Sequence, residues 1–478
     1  MPSIKKNIAY QSIYQLLTTL LPLVLTPYIS RVLGAEKIGI YAYSLSISTY
    51  FIYFAKLGIE HHGSRTIAAV RDNRDKLNKT FSDLFFLHLT VSLIILLAYT
   101  SFVIFFVVEY KLYFAFLGIT ILAALFDITW LFSGLEQFKT IVTRNTIIKI
   151  LTVACVFIFI KNKNDLWKYI LIMSIGTFAG QIIVWFFLKK HTSIVKPTWN
   201  GIKPHIKPIL ILFIPVIATS VYNIMDKIML GAMTDKVQLG FYENSEKIIF
   251  IPMGFIIAFN GVMIPRMSNL GAKKDKSAQN RLTLISMKYV MILAFAMMFG
   301  IAGIANGFAP LFFGEEFRNC GVLITCLCAV IPFLAFSNLI AAQYLVPNSK
   351  DKLYTISTVA GAVINIIANL ILIPRFQAMG AAVGTILAES LRCIVMVIAT
   401  RKALPVLTYI KNSLFFLFAG VIMFTLVRYV GFILNESIVT VLFQVVLGAA
   451  LYLLLSVVFL YLKKDEFLIK NLKRILRR

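Results

Sequence analysis

"ISRVLGAEKIGIYAYS" runs from Ile29 to Ser44, and "KIMLGAMTDKVQLGFYENS" from Lys227 to Ser245. Each breaks an apolar run with charges and glycine, then resumes with tyrosine and serine. Leu33-Gly34-Ala35 is followed by Gly39-x-Tyr41-x-x-Ser44. Leu230-Gly231-Ala232 is followed, after four extra residues, by Gly240-x-Tyr242-x-x-Ser245. The copies lie roughly 200 residues apart, with six apolar runs between equivalent points. An even number of crossings gives both copies the same orientation, which is a parallel repeat about an axis along the membrane normal. Each copy reads as the hairpin joining the first two helices of a lobe. Glycine makes the turn, and the charges sit at headgroup level.

The rest of the chain supports this reading. Of 478 residues, 59% are hydrophobic and only 14% are charged, where a soluble domain carries about 25% charged residues. Apolar runs of membrane-spanning length recur throughout. They fall near 8–30, 37–59, 81–108, 111–134, 144–161, 167–188, 207–231, 239–263, 284–309, 320–345, 352–373, 379–400, 411–432 and 438–462. The fold class is an all-α polytopic membrane protein of about 14 transmembrane helices. Two pseudo-symmetric six-helix lobes, in parallel repeat around a central cavity, are followed by two extra C-terminal helices. The domains are 1–200 (spans 1–6), 201–403 (spans 7–12), 404–462 (spans 13–14) and 463–478, a basic amphipathic cytoplasmic tail.

A net charge of +26 fits nucleic acid poorly, because the basic residues sit in short clusters between apolar runs. With Lys5 and Lys6 placed inside, about 32 of the 47 basic residues fall in cytoplasmic loops and termini. Removing one span would invert every later loop. Both termini are therefore expected in the cytoplasm. Five cysteines form no disulfide framework, and Cys326-x-Cys328 has no nearby His or Asp to complete a metal site. The apolar part of the N-terminal segment is too long for a cleaved signal and reads as the first span. Walker A, G-x-S-x-G and H-E-x-x-H patterns are absent, so no nucleotide-driven or hydrolytic chemistry is expected.

Polar residues inside spans mark a path. In the first span Gln11, Gln15, Thr18, Pro22, Thr26 and Ser30 recur every three or four residues, with Tyr14 beside them. Tyr41, Ser44 and Ser48 share a face of the second span. Asn223, Asp226 and Lys227 lie in the seventh, and Glu243, Lys247 and Asn260 in the eighth. Gln, Ser and Thr also glue helices together, so each such residue has a purely packing alternative. Arg31, Lys227, Lys247 and Arg392 are candidate phosphate ligands. Gln11, Tyr14, Gln15, Thr18, Tyr41, Ser44, Ser48, Asn223 and Asn260 are candidate sugar contacts. Spacing also allows Glu243 to pair with Lys247 and Glu389 with Arg392. Asp127 has no basic residue at i±3 or i±4 and, with Asp226 and Glu243, is a candidate for coupling or gating. The alternative for Asp127 is an ion pair with another helix, or a cap at a kink.

Four strings carry a resemblance: "PYISRVLGAEKIGIYAYS", "GSRTIAAVRDNRDKLNKTFS", "WLFSGLEQFKTIVTRNTIIKIL" and "NLILIPRFQAMGAAVGTILAE". With them the chain resembles the Wzx-like polysaccharide repeat-unit flippases of the multidrug/oligosaccharidyl-lipid/polysaccharide exporter superfamily. The resemblance implies a V-shaped, basic central cavity between two lobes. It implies that undecaprenyl-pyrophosphate-linked oligosaccharide is turned from the inner to the outer leaflet of a bacterial plasma membrane. Capsule, exopolysaccharide or O-antigen assembly would follow, and "HHGSR" is also similar to strings in teichoic-acid repeat-unit flippases. No cofactor is expected, with coupling to an H⁺ or Na⁺ gradient open. Expected partners are the lipid-linked substrate, membrane lipids and a polysaccharide polymerase, with the protein itself monomeric. Two other classes compete. An ion-coupled drug or cation antiporter of this fold would want a carboxylate in the first helix, and none lies between Lys5 and Arg31. A membrane polymerase would want a large catalytic loop.

Overall fold

The computed structural model describes residues 4–465 apart from 274, together with 469; the side chains of 4–20, 222, 223, 262 and 272 are not among those described. The expectations for Gln11, Tyr14, Gln15, Thr18 and Asn223, and for the tail beyond 465, therefore lie outside the described residues. Among the described residues every regular element is helical. The first are α1 (Ile4–Lys56), α2 (Ile59–Val70), α3 (Arg74–Phe105), α4 (Lys111–Leu125), α5 (Thr129–Gly134), α6 (Phe138–Phe159) and α7 (Leu166–Leu188). They are followed by α8 (Trp199–Met233), α9 (Lys236–Ala272), α10 (Lys276–Phe313), α11 (Cys320–Leu327) and α12 (Val330–Ile340). The last are α13 (Asp351–Thr400), α14 (Val406–Ile433) and α15 (Ile438–Leu462).

Helix α1 is 53 residues long. Held straight it would measure about 80 Å, against ~30 Å of hydrocarbon. It breaks at Gly34, with φ 79° and ψ 172°, a backbone region open in practice only to glycine. Both arms return to the α6–α7 connection. The Tyr28 hydroxyl donates to the Ile160 carbonyl at 2.6 Å, and Tyr41 packs edge-on against Tyr169 at 5.0 Å. Helix α13, 50 residues, also breaks, at Gln377 with φ 51° and ψ −128°. A Cβ on Gly384 would overlap the Asn369 side chain, fifteen positions earlier; a straight helix would hold these positions about 22 Å apart. Among the described residues twelve helical stretches are long and apolar enough to cross a membrane. With α1 and α13 each broken into two arms, the count agrees with the about fourteen helices that the sequence predicts.

Packing divides the chain into two compact units, 1–243 and 244–478. The first takes in α8 and the start of α9, whose hairpin packs on α1. Within each unit the connections between helices test the expected sidedness. Arg71, after the second span, pairs with Glu136, after the fourth, at 2.8 Å. Asn78 accepts from Thr192 Oγ1 at 2.8 Å and from the Ser193 amide at 2.9 Å, both after the sixth span. Asp83 accepts from the Thr198 amide at 2.9 Å. These connections share one face of the first unit, and the Tyr28–Ile160 contact marks the other. In the second unit Arg318, between α10 and α11, bonds Glu436, between α14 and α15, at 2.9 Å. Lys288, near the other end of α10, pairs with Asp465. Every one of these contacts joins connections that an even number of spans separates.

This arrangement predicts thiol accessibility. In a background with the native cysteines replaced, single cysteines at Arg74, Lys139 and Lys189 should react with a membrane-impermeant reagent from one side only. Lys163→Cys should react from the other. Arg74→Cys and Lys163→Cys labelling from the same side would overturn the topology.

Candidate functional site

The two repeat hairpins meet in the first unit. A Cβ on Gly39 would overlap the carbonyl oxygen of Lys236, and a Cβ on Gly240 would overlap that of Ala35. Gly39 and Gly240 are 201 positions apart, as are Ala35 and Lys236. The contact is therefore exchanged with itself by the repeat, as at an isologous two-fold interface. The glycines of both motifs allow the backbones to approach this closely. Alongside, a Cβ on Gly231 would overlap the Tyr43 ring. Lys236 bonds the Gly231 carbonyl and lies over Tyr43 at 4.2 Å, a cation–π contact that holds the second hairpin to the first.

One to two turns from the crossing, α8 and α9 face each other through charged groups. Lys227 Nζ lies 2.7 Å from Glu243 Oε2, with both side chains mostly covered. The Tyr242 hydroxyl donates to Asp226 Oδ2 at 3.0 Å in a buried pair. Glu243 also sits within electrostatic reach of Tyr41 and Tyr169. The structure thus brings Tyr41, Asp226, Lys227 and Glu243 together. The sequence offered Lys247 as the partner of Glu243 by spacing; Lys227, from the facing helix, is one that spacing could not show. Arg31 is exposed.

The other candidates of the first unit are tied into its interior. Ser44 and Ser48 are fully buried. Ser48 Oγ donates to the Ser44 carbonyl at 2.8 Å and bonds the Tyr99 hydroxyl at 3.0 Å, while Tyr99 donates to the Phe114 carbonyl at 2.6 Å. These hydroxyls join α1, α3 and α4. Asp127 lies in the break between α4 and α5, 5% exposed. It pairs with Lys56 and accepts from the Thr129 amide at 2.9 Å and from its hydroxyl at 2.5 Å. Around that break His88 bonds the Ala124 carbonyl, which also accepts from the Asp127 amide, and Trp185 and Trp130 donate to the carbonyls of Phe126 and Asp127. Asp127 thus has both the cross-helix partner and the kink-capping place offered by its alternative reading.

In the second unit Glu389 and Arg392 pair at 3.4 Å, as their spacing predicts, and both are buried. Arg392 also lies over the Tyr354 ring at 5.7 Å. Lys247 is half-buried. Asn260 is buried, with its Oδ1 lacking a hydrogen-bond partner. Sequence reading passed over a second polar group. Gln343, in a π-helical turn at Ala341–Leu345, is fully buried with neither amide atom bonded. Thr358, Asn365 and Asn369 are buried along one stripe of α13. Their rarity in apolar spans and their spacings of seven and four residues were the available signal.

The family described as "polysaccharide biosynthesis protein" matches residues 4–271, more than half of the chain. The chain belongs to the polysaccharide biosynthesis protein family. A relative from Shigella dysenteriae, described as an O-antigen transporter, is 24% identical over 402 residues, covering 83% of this chain and 100% of its own length. Among solved structures, the lipid II flippase MurJ in an inward closed conformation superposes with a TM-score of 0.78 at 17% identity, covering 94% of this chain and 98% of its own. An inward-facing multidrug resistance transporter of the MATE family reaches 0.63 at 13% identity, covering 88% and 99%. The fold is therefore shared across different cargoes, and function must be argued from the site of this family member.

Its charged groups make a prediction. Removing one member of the mostly covered Lys227–Glu243 pair takes an opposite charge from the other, at a cost of about 1–3 kcal/mol. Lys227→Glu and Glu243→Lys should each lower thermal stability in detergent, and the double variant should regain at least half of the loss. A double variant no better than the worse single one would show that the two groups do not act as a pair.

Proposed function

We propose that this protein is a flippase for polyprenyl-pyrophosphate-linked oligosaccharide repeat units, working by alternating access in a bacterial plasma membrane with both termini in the cytoplasm. The observation that carries the reading is that two basic side chains inside the spans are held by carboxylates: Lys227 by Glu243 and Arg392 by Glu389. A lone cation in hydrocarbon is costly, so the carboxylate keeps each site neutral when empty. A substrate phosphate presents the same charge and acceptor geometry and can take the carboxylate's place. Tyr41, Tyr169 and Tyr242 add hydroxyls and ring faces suited to sugars. Family membership and the resemblance to an O-antigen transporter support a polysaccharide precursor as cargo. Capsule, exopolysaccharide, O-antigen and teichoic-acid repeats share this chemistry. The polyprenyl chain stays in lipid, because only the phosphates and sugars need a substitute for water.

The direct test is reconstitution. Purified protein in liposomes should move a fluorescent polyprenyl-pyrophosphate oligosaccharide between leaflets, and Lys227→Ala should slow this about tenfold. Protein-free rates in the presence of folded wild-type protein would refute the reading.

Alternating access requires the hairpin crossing to part and re-form. Gly39→Val, which puts a branched side chain where the Lys236 carbonyl lies, should cut flipping at least tenfold while leaving membrane insertion intact. Wild-type flipping in Gly39→Val would remove the crossing from the cycle.

Turnover also needs a driving force. We propose coupling to an H⁺ or Na⁺ gradient, with Asp127 as the candidate group. Its pairing with Lys56 sets a condition: protonating Asp127 leaves Lys56 without its carboxylate, so the pair must change together. Asp127→Asn should abolish any dependence of flipping on a pH gradient. A full gradient response in that variant would exclude Asp127.

A further inference from the structure

Helix α8 runs antiparallel to the second arm of α1 and then to α2, and they meet in evenly spaced rungs. Phe54 packs edge-on against Phe213 at 5.2 Å, a Cβ on Gly58 would overlap the Ile209 carbonyl oxygen, and His62 Nε2 lies 2.9 Å from His205 Nδ1. Each rung is four residues from the next on both sides. The first two are ring against ring and backbone against glycine, which can part without stranding a polar side chain. The last is a hydrogen bond between two side chains, both half-buried. The arm of α1 from Gly39 to Lys56 rises about 26 Å, so the glycine crossing and the histidine pair lie near opposite faces of the hydrocarbon.

Two imidazoles hold one N–H···N bond when neither ring carries an extra proton, and keep it, strengthened by charge, when one does. With an extra proton on both, each facing nitrogen is a donor, no acceptor remains, and two like charges oppose each other. The surroundings separate the two steps. Asp83, on α3, lies within electrostatic reach of His205 and favours the first proton there, whereas Arg65, on α2, opposes one on His62. Glu60 and His61 on α2, and Lys203 and Lys207 on α8, are exposed. Pro204 and Pro208 flank His205. Each removes an i→i−4 bond, so the turn that carries His205 can shift while the chain before it stays bonded to α3 through Thr198 and Asp83. Half-buried rings at the headgroup face are solvated when they separate, which a pair deep in hydrocarbon would not be.

We infer that the His62–His205 bond is a latch that closes the α1–α8 seam at the end away from the glycine crossing, and that it opens when both rings are protonated or when the seam parts during transport. Alternating access opens the two ends of the seam in turn, so a latch at this end is the counterpart of the crossing at the other. His62 and His205 then act on the conformation and touch no cargo. Opening during transport rests on the flippase reading; opening in acid does not, and the two are tested apart.

Spin labels on Ala68→Cys and Lys203→Cys, both exposed positions, in full-length protein with the native cysteines replaced, report the α2–α8 distance by pulsed electron resonance. Lowering the pH from neutral to about 4.5, two units below the ordinary imidazole value, should raise the long-distance population at least threefold. His62→Gln with His205→Gln, which can still hydrogen-bond but cannot take a proton, should remove that response. No change in the native pair, or the same change in the glutamine pair, overturns the latch. Its part in transport is read in liposomes with His62→Cys and His205→Cys together. Joining the two thiols with a short reversible cross-linker should cut flipping at least tenfold, and reduction should restore it. Full flipping by the cross-linked protein overturns the latch as a moving part. Wild-type protein that flips nothing refutes the flippase reading, and the acid response alone then upholds or overturns the latch.

Discussion

Hydrocarbon offers no hydrogen bonds, and that absence governs this protein. A backbone group or charge inside a span must find its partner within the protein. Where α4 gives way to α5, the carbonyls of Ala124, Phe126 and Asp127 are met by His88, Trp185 and Trp130. The Asp127 carboxylate is met by Lys56 and Thr129. The break is thus a fully furnished one, assembled from α1, α3, α4, α5 and α7.

The same rule explains why two of the basic residues in the spans come with carboxylates. Lys227–Glu243 and Arg392–Glu389 are neutral as pairs, so an apolar chain can carry them through a membrane. Neutral pairs are also exchangeable. An anionic cargo that replaces the carboxylate preserves the charge balance, whereas a lone cation would either fail to insert or hold its ligand too tightly for release. Serines serve differently. Ser48 spends its hydroxyl on Ser44 and Tyr99, which makes it part of the scaffold that holds α1 against α3 and α4.

The glycine crossing solves a different problem. Two helix hairpins of the same hand approach along a local two-fold, and side chains at Gly39 and Gly240 would occupy each other's backbone. The contact is close but contains few side-chain interactions at its centre. Such a junction packs backbone against backbone, which suits the opening that the proposed alternating access would require. Lys236 over Tyr43 adds a modest, reversible attraction at its edge.

Much of this was legible in the sequence. Apolar run length and loop charge gave fourteen crossings, because hydrocarbon thickness fixes how many residues a span needs. The repeat was legible because a tight turn and a close crossing both demand glycine at fixed offsets. The Glu389–Arg392 pair followed from helical spacing alone. Partners across helices were not legible. Nothing local in "LAALFDITWLF" points to Lys56, seventy-one positions earlier, and nothing near Glu243 selects Lys227 on the preceding helix. Gln343 and the Asn365–Asn369 stripe stayed hidden because a polar residue in a span looks the same whether it binds a neighbour or faces a cavity. Periodicity places a residue on a face of its own helix; only tertiary packing decides what that face meets, and in a medium without water that meeting decides whether a charge is scaffold or site.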